Sequence, residues 1–256
     1  VKDVIMGGWA GAALKEDGSV VTWGDAYNSG DSSEVSQHLA SGVKHVAMGE
    51  QAAAVLKEDG SVWTWGPRCC GGDSSRVAKH LRSGVEHVVI GGKAGAVLKE
   101  DGSVWTWGDP TAGGDSSKVA EHLQSGVKQV VMGGWAGAAL KEDGSVWVWG
   151  DSERGGTLKA TGSIWDPQCG DDGATFHVSQ NLQSGVKQVV MGGCAGAAVK
   201  EDGSVWTWGL CTCGGNSSAV ARHLQSGVKK VIMGGTAGAA LKDDGSVWTW
   251  GNSLDG

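Results

Sequence analysis

A phrase that recurs at a nearly fixed spacing is the strongest constraint on this chain. The pattern Val-Lys-x-Val-x-Met-Gly-Gly, with small departures, begins at Val1, Val43, Val85, Val127, Val186 and Val228. The spacing is 42 residues except between the fourth and fifth starts, where 17 extra residues make it 59. A fixed period of this length is typical of repeat architectures, in which each copy builds one small supersecondary unit.

The copy that starts at Val85 contains three short segments that predict β-strands. They are residues 85–90, 95–99 and 103–107. Asp101 and Gly102 separate the second segment from the third, and Asp-Gly between apolar runs predicts a β-hairpin. Residues 115–123 follow with Asp and Ser ahead of apolar residues at helical spacing, which predicts an N-capped helical turn. Each copy is therefore expected to form three strands and a connector.

The repeat predicts an all-β fold, a β-propeller of six short three-stranded blades, because radial repetition protects sheet edges. The composition of 46 Gly and 14 Trp agrees with this. The small residues at 10–14 and 136–140 predict a narrow inner strand, and Trp63 and Trp65 are expected on one strand face, where they fill the wider gap between blades. An incomplete seven-bladed ring is the alternative, because no strand is shared between the last copy and the first.

We expect a single propeller domain over residues 1–256. Its repeats are predicted at residues 1–42, 43–84, 85–126, 127–185 (with an insert at about 151–176), 186–227 and 228–256. The chain begins with Val and carries no signal peptide, so a processed or trimmed chain is expected and the compartment cannot be read from the sequence.

The shared segment Val-x-Met-Gly-Gly-x-Ala-x-Ala-Ala-Leu-Lys-Glu-Asp-Gly-Ser-Val-Trp-Thr-Trp-Gly resembles the repeat of the regulator of chromosome condensation family. The phrases Ser-Gly-Val, Ala-Leu-Lys-x-Gly and Trp-Gly make the chain more similar still to propeller-type β-lactamase inhibitor proteins. This resemblance covers nearly the whole chain outside the insert. It implies three-stranded blades and a partner protein held by loops at one end of the propeller.

The copies differ mainly in two loops, which the predicted strand order places at the same end of each blade. Variation confined to one face of a rigid scaffold is typical of a recognition surface, although neutral drift of exposed loops is the alternative. Trp9 and Trp135 favour recognition, since exposed Trp is a frequent interface anchor and the framework does not require Trp there. The resemblance nominates Trp9, Tyr27, Gln51, Arg68, Lys93, Asp109, Trp135 and Arg154 as partner-binding residues.

The insert leaves the same end of the fourth copy. Thr161 to Trp165 predicts an extra hairpin, and Trp165 is the third Trp outside the repeat framework, which adds it to the candidate partner-binding residues. The insert is interpreted as a wedge against a partner or as a lid on the central hole. A protrusion in exchange-factor relatives contacts a small GTPase, so the resemblance implies that role as a further alternative.

All six cysteines lie in these loops or in the insert. Cys69 and Cys70 are three blades away from the fifth copy, which puts the other cysteines beyond the reach of a disulfide. We expect one or two disulfides among Cys169, Cys194, Cys211 and Cys213, with free thiols as the alternative. Four thiolates on zinc are a third interpretation, which the short Cys211-x-Cys213 spacing disfavours.

Several function classes are excluded. A net charge of −7 offers no basic footprint for nucleic acid, and no apolar run approaches the ~18 residues of a transmembrane segment. No nucleophile elbow, Walker loop or metalloprotease helix is present, so we predict no enzyme, no cofactor and no metal site. The histidines His38, His80, His122 and His223 recur at one connector position, and because they lie on separate blades we expect packing or capping roles.

The sequence thus predicts a noncatalytic protein-binding scaffold that uses the variable loops at one end of the propeller. The alternative is a structural accessory subunit of a larger multiprotein assembly. An inhibitor of an enzyme and a guanine-nucleotide exchange factor are further alternatives that the resemblance implies.

Overall fold

Each copy of the repeat folds into one antiparallel sheet of three strands, called a blade here. The fold is known from a computed structural model, which describes residues 1–158, 160–161 and 174–252. The chain divides into two compact units, Val1–Ser125 and Gly126–Gly256, and each is described by itself. The strands coincide with the predicted segments to within about two residues at each end.

The first unit contains blades 1 to 3. Its strands are Asp3–Met6 (β1), Ala10–Leu14 (β2) and Val20–Gly24 (β3) in blade 1, Val43–Met48 (β4), Ala53–Lys57 (β5) and Val62–Trp65 (β6) in blade 2, and Val85–Ile90 (β7), Ala94–Lys99 (β8) and Val104–Gly108 (β9) in blade 3. Short 3-10 helices follow the third strands at Ala26–Asn28, Arg68–Cys70 and Pro110–Ala112. The connectors hold Ser33–Val35 with the helix Ser36–Leu39 (α1), Ser75–His80 and Ser117–Leu123.

The second unit contains blades 4 to 6. Its strands are Val127–Met132 (β10), Ala136–Lys141 (β11) and Val146–Gly150 (β12) in blade 4, Val186–Met191 (β14), Ala195–Lys200 (β15) and Val205–Leu210 (β16) in blade 5, and Val228–Met233 (β17), Ala237–Lys242 (β18) and Val247–Gly251 (β19) in blade 6. The helix Ala174–Asn181 (α2) precedes blade 5, and 3-10 helices lie at Cys211–Cys213 and Ser218–His223.

The insert of the fourth copy contributes one described strand, Ala160–Thr161 (β13), which pairs in parallel with β16. Blade 5 therefore carries a fourth strand at its edge. The predicted hairpin beyond Thr161 lies outside the described residues, as do Trp165 and Cys169. No described helix is long and apolar enough to cross a membrane.

The second and third strands of every blade meet in the same tight hairpin. In blade 1 the Lys15 N–H donates to the Ser19 carbonyl (2.9 Å), and Gly18 adopts φ +75°, a left-handed conformation that suits glycine. The Asp17 carboxylate accepts hydrogen bonds from the Ser19 N–H and hydroxyl, which lowers the pKa of Asp17. The predicted Asp-Gly hairpin is confirmed, and the side chain ahead of the glycine closes it.

The Ala-rich segment forms the middle strand of each blade, between the first and third strands, and not the inner strand that the sequence predicted. Small residues are needed there because the middle strand packs on both sides. A Cβ at Gly95 would clash with the Trp107 ring carbon Cζ2, so the indole crosses the middle strand where a side chain is missing. Small residues in the middle strand therefore leave room both for the Trp rings and for the neighbouring blades.

Within each unit, adjacent blades stack face to face, and each face has a constant composition. The trailing face of one blade packs on the leading face of the next blade in the chain. Between blades 1 and 2, the trailing face supplies Leu14 and Val20, and the leading face supplies Val46, Val55 and Trp65. All five side chains are at least nine-tenths buried, so this apolar contact forms the core.

Within each unit, hydrogen bonds from the indoles of the leading faces to the preceding blade reinforce these contacts. Trp65 Nε1 donates to the Ser29 carbonyl (2.8 Å) and Trp107 Nε1 to the Gly71 carbonyl (2.9 Å), both on the preceding blade. In the second unit Trp208 donates to Gly155 (3.2 Å) and Trp250 to Gly214 (2.9 Å). A buried indole N–H that lacked this partner would cost stability, so the bond fixes how adjacent blades align.

The two Trp of one strand have different environments, which corrects the prediction that both fill the gap between blades. Trp65 is 3% exposed and is buried between two blades, whereas Trp63 is 38% exposed. The Trp63 ring stacks on His38 of the preceding connector, with centroids 3.3 Å apart. His80 stacks on Trp105 and His223 on Trp248 in the same way, so a packing role is confirmed for these three histidines.

Replacing Trp107 by Ala should destabilise the first unit by about 3–5 kcal/mol, because the change removes a buried ring and leaves the Gly71 carbonyl without its donor. Denaturant unfolding followed by circular dichroism measures this loss. Trp9→Ala is the control, since Trp9 is 64% exposed and its loss should change stability little. Equal destabilisation by both changes would contradict the packing described.

The stacked histidines should make stability depend on pH. Burial first, and neighbouring Lys or Arg charges second, lower the pKa of His38, His80 and His223 below the usual 6.5. Their contribution is therefore complete above pH 6.5 and is lost as the pH falls toward the lowered values, because the unfolded chain binds the protons first.

This dependence is tested by measuring melting temperatures between pH 7.5 and pH 5.5, a range that extends about one unit on either side of the pKa of histidine in the unfolded chain. Changing all three histidines to Asn, the residue that blade 5 carries as Asn181, should flatten the dependence in this range. A triple variant with the same pH dependence as the wild type would show that other groups control it.

Candidate functional site

Two loops of each blade lie at the same end of its strands, and within each unit these loops form the surface called the loop face here. The first loop joins the first and second strands, and the second loop follows the third strand. The antiparallel order puts both at the edge opposite the hairpin. In the first unit these loops are residues 7–9, 49–52 and 91–93 and residues 25–30, 66–72 and 109–114.

Backbone hydrogen bonds fasten the two loops of a blade to each other. The Asp25 N–H donates to the Trp9 carbonyl (3.0 Å), and the Asp109 N–H donates to the Lys93 carbonyl (3.0 Å). Blade 2 has Pro67 at this position, which has no N–H to donate. The first loops are also joined from blade to blade, since the Gly8 N–H donates to the Gly49 carbonyl (3.0 Å). Backbone hydrogen bonds therefore fix the positions of these loops relative to one another.

Blade 1 presents two aromatic side chains on the loop face. Trp9 is 64% exposed and Tyr27 is 87% exposed. Asp25 connects them, because its N–H donates to the Trp9 carbonyl and its Oδ1 accepts from the Tyr27 N–H (2.7 Å). Asp25 thus links the loops that carry Trp9 and Tyr27, two of the predicted residues. This part of the loop face is called the aromatic corner here.

Gln51 extends this corner into blade 2. Its Nε2 donates to Asn28 Oδ1 (3.2 Å), and Asn28 is the neighbour of Tyr27. The contact joins the second loop of one blade to the first loop of the next. Trp9, Tyr27 and Gln51 therefore belong to one continuous part of the loop face.

The remaining predicted residues of the first unit have other environments. Arg68 is exposed and pairs with Asp73 (3.0 Å). Hydrogen bonds from Ser75, and then the Arg68 guanidinium, hold the pKa of Asp73 at about 2. Asp109 accepts from the Thr111 N–H (2.8 Å) and hydroxyl (2.7 Å), so its carboxylate closes a turn. Lys93 is half-buried.

In the second unit, the structure brings Trp135 and Arg154 into direct contact. The Arg154 guanidinium carbon lies 4.4 Å from the Trp135 ring centroid, a cation–π geometry. Arg154 Nη1 also pairs with Asp151 Oδ2 (3.2 Å), and the Asp151 Oδ1 accepts from the Arg154 N–H. Trp135 is half-buried as a result, so it differs from the exposed Trp9 that occupies the same repeat position.

The residue opposite each Trp explains the difference. Asn28 occupies in blade 1 the repeat position that Arg154 occupies in blade 4, and its short amide bonds to Gln51 rather than covering Trp9. Sequence reasoning missed Asn28 and Asp151. Their repeat positions could have identified them, because the second loop follows the third strand at a constant offset in every blade.

The cysteines fall into two local groups. The Cys69 and Cys70 sulfurs lie 2.7 Å apart as free thiols, and burial raises the pKa of Cys70 to about 11. In blade 5, Cys194 and Cys213 are free thiols in hydrogen-bonding contact, and burial followed by that contact raises the pKa of Cys194 to about 12. Cys211 is disulfide-bonded.

Within the described parts of the chain, no three His, Cys, Asp or Glu side chains come close enough to hold a metal ion together. The carboxylates of Asp25, Asp109 and Asp151 are each engaged by N–H groups of their own turns. These three carboxylates therefore stabilise the loops that carry them.

Comparisons with known proteins agree with this geometry. The regulator of chromosome condensation (RCC1) repeat matches residues 127–155, which span blade 4 and the start of the insert. Human WBSCR16 is 17% identical, covering 97% of this chain and 75% of its own, with a TM-score of 0.58. Yeast RCC1 (Prp20), crystallised with Kap60, is 17% identical over 97% of this chain and 69% of its own, with a TM-score of 0.60.

The chain shares the β-propeller fold of these proteins, and its fourth repeat matches the RCC1 repeat. The ectodomain of the Physcomitrella patens receptor kinase CR4 shares the fold at 14% identity, covering 99% of this chain and 64% of its own, with a TM-score of 0.60. No curated protein sequence matches this chain. The predicted all-β fold of six three-stranded blades is confirmed, while the resemblance to β-lactamase inhibitor proteins is not confirmed.

The thiols of the described residues should differ in reactivity. In the native protein iodoacetamide should label the exposed Cys69 quickly, and Cys70 and Cys194 slowly, because their raised pKa values leave little thiolate near pH 8. After unfolding without a reductant, all four free thiols should react while Cys211 should not. Peptide mass mapping measures both results, and labelling of Cys211 before reduction would contradict the disulfide.

Proposed function

We propose that this chain is a noncatalytic protein-binding scaffold that holds a partner protein on its loop face. The single observation that carries the proposal is the aromatic corner of blade 1, where Trp9 and Tyr27 project into solvent from loops held by backbone bonds. Trp and Tyr are enriched at protein–protein interfaces relative to the rest of the protein surface, so their exposure at this corner suits a binding surface.

The energetics of the corner suit a binding anchor. Trp and Tyr are enriched among interface residues whose truncation costs about 2 kcal/mol or more. Asp25 and the bond between Gln51 and Asn28 hold the loops in place before a partner arrives, which reduces the ordering cost of binding. The corner therefore combines large apolar area with a fixed backbone.

Proteins of the same fold support a protein partner. Prp20 was crystallised bound to Kap60, and a second Prp20 structure, 16% identical over 97% of this chain with a TM-score of 0.60, is described with binding to Gsp1p and histones. These partners belong to Prp20. For this chain we propose only the same class of partner, a protein that binds to a propeller scaffold.

The noncatalytic part of the proposal rests on how the loop face uses its polar groups. Asp25, Asp109 and Asp151 close turns, and Arg154 covers Trp135, so these groups stabilise the surface. A nucleophile with an adjacent base would be needed for acyl or phosphoryl chemistry.

The double variant Trp9→Ala/Tyr27→Ala tests the loop face. Wild-type and variant chains serve as bait in extracts of the source cells, and quantitative mass spectrometry compares the recovered proteins. A partner should be recovered at least about tenfold less with the variant, because losing one anchor already costs about 1.4 kcal/mol or more.

The matched control is Val4→Ala, which removes an exposed apolar side chain of the same blade away from the loops. Recovery with this control should equal that of the wild type. Partners that persist with the double variant but disappear with the control would reject the loop face as the binding surface.

A further inference from the structure

The second loop of blade 2 carries two cysteines that are neighbours in the chain. Cys69 and Cys70 end the 3-10 helix Arg68–Cys70, and their sulfurs lie 2.7 Å apart as free thiols. Cys69 is exposed, whereas Cys70 is buried. The pair therefore combines one thiol that a reagent in solvent can reach with a second thiol in contact with it.

The fold of this loop does not require adjacent cysteines. In blade 3 the same two repeat positions hold Thr111 and Ala112, and the loop forms the same short helix, Pro110–Ala112. Blade 1 holds Tyr27 and Asn28 at these positions, again in a 3-10 helix. Because local structure accepts such different side chains, the chemistry of the two sulfurs is the feature that distinguishes blade 2.

Hydrogen bonds fix the backbone around the pair. The N–H groups of Cys70 and Gly72 both donate to the Pro67 carbonyl (3.0 Å each). The Gly71 carbonyl accepts from Trp107 Nε1 of the next blade (2.9 Å). The loop backbone therefore holds the two sulfurs together without a covalent bond between them.

A disulfide within the pair does not suit this backbone. The peptide bond between Cys69 and Cys70 is trans, which sets their Cα atoms about 3.8 Å apart, whereas ordinary disulfides join Cα atoms roughly 4.4–6.8 Å apart. Disulfide formation would require the turn to move against its hydrogen bonds to Pro67 and Trp107. A ligand atom that bridges the two sulfurs avoids this, because it lengthens the path between them.

The number of donors decides which kind of ion the pair can hold. Among the residues that the structure describes, no third His, Cys, Asp or Glu side chain completes a metal site here, and structural Zn²⁺ takes four ligands. Thiolates prefer soft ions. Trivalent arsenic is soft, and when it carries one organic group it needs only two more ligands, both on the same side of the atom. Two sulfurs in contact meet that requirement.

We propose that Cys69 and Cys70 form a dithiol site for a trivalent organoarsenical, a compound of the class R–As(OH)₂. Each thiol gives its proton to one hydroxyl group, which leaves as water while an arsenic–sulfur bond forms. Two S–H and two As–O bonds break, two As–S and two O–H bonds form, and arsenic stays trivalent. The step therefore needs no oxidant or reductant and leaves no charge in the loop.

This proton balance suits the environment of Cys70. Burial, followed by the contact with Cys69, raises the pKa of Cys70 to about 11, so the thiol stays protonated near neutral pH. A ligand that binds only an ionised thiolate would have to overcome this shift. The arsenical supplies the group that accepts the proton, so a protonated Cys70 does not prevent binding.

A second pair of free thiols provides a comparison. Cys194 and Cys213 of blade 5 are in hydrogen-bonding contact, but Cys194 is half-buried and Cys213 is buried. Neither residue is exposed, whereas Cys69 is. In the native protein the first arsenic–sulfur bond should therefore form at Cys69, and the second should close on Cys70.

Titration of the native 256-residue chain with phenylarsine oxide tests the proposal. The protein is then unfolded with iodoacetamide to block the remaining thiols, and peptides are mapped by mass spectrometry. One equivalent should be found on the tryptic peptide of residues 69–76, which contains both cysteines of the pair and no others. Excess glutathione should leave the adduct in place, whereas 2,3-dimercaptopropanol should remove it, because two bonds to one ligand raise affinity by about 10²–10⁴.

Two single variants test whether both sulfurs are needed. Cys69→Thr and Cys70→Ala introduce the residues that blade 3 carries as Thr111 and Ala112, so circular dichroism should show folded chains. Either change leaves one arsenic–sulfur bond. The dissociation constant for phenylarsine oxide, measured by native mass spectrometry, should therefore rise at least about a hundredfold.

The matched control is Cys194→Thr, which introduces the residue that blade 6 carries as Thr236 and breaks the other thiol contact. It should bind phenylarsine oxide like the wild type. The proposal is overturned by an adduct that lies mainly on Cys194 or Cys213, by removal of the adduct with glutathione, or by unchanged affinity in either single variant. Only the chain and the probe are present, so the result does not depend on a partner protein.

Discussion

The contact on which the rest of the structure depends is made by a buried Trp that packs on the middle strand of its own blade and hydrogen-bonds to the preceding blade. In Trp107 the ring lies on the middle strand where Gly95 has no side chain, and its Nε1 donates to Gly71 of the preceding blade. Apolar burial and one directional bond thus act on the same residue. Because the repeat supplies this Trp, the blades within each unit stack in one register and their loops lie at the same end of the strands.

Comparison of the six copies of the repeat separates the positions that maintain the fold from those that vary on the loop face. Hairpin positions such as Asp17 and Gly18 serve the same turn throughout, whereas the first loop changes from Trp9 to Gln51 between adjacent blades. A rigid backbone tolerates these exchanges since its hydrogen bonds do not involve the exposed side chains. The fold therefore exposes the aromatic corner but does not depend on its side chains.

Much of this could be predicted from the sequence, because strands, hairpins and connectors depend on residues that are near in the chain. The pairing of Trp135 with Arg154 could not, since it needs the register that places Ala136 opposite Gly150. The exposure of Trp63 likewise depends on His38, a residue of the preceding connector. Such contacts follow from three-dimensional placement, which a repeat period alone does not give.

A photo-crosslinking amino acid at position 27 tests the central claim most directly. Placed there, it should capture the partner protein, whereas the same group at Glu58, in the hairpin at the opposite edge of blade 2, should not. Mass spectrometry of the cross-linked peptide reads the result at residue level. Capture at position 58 and none at position 27 would contradict a protein-binding loop face.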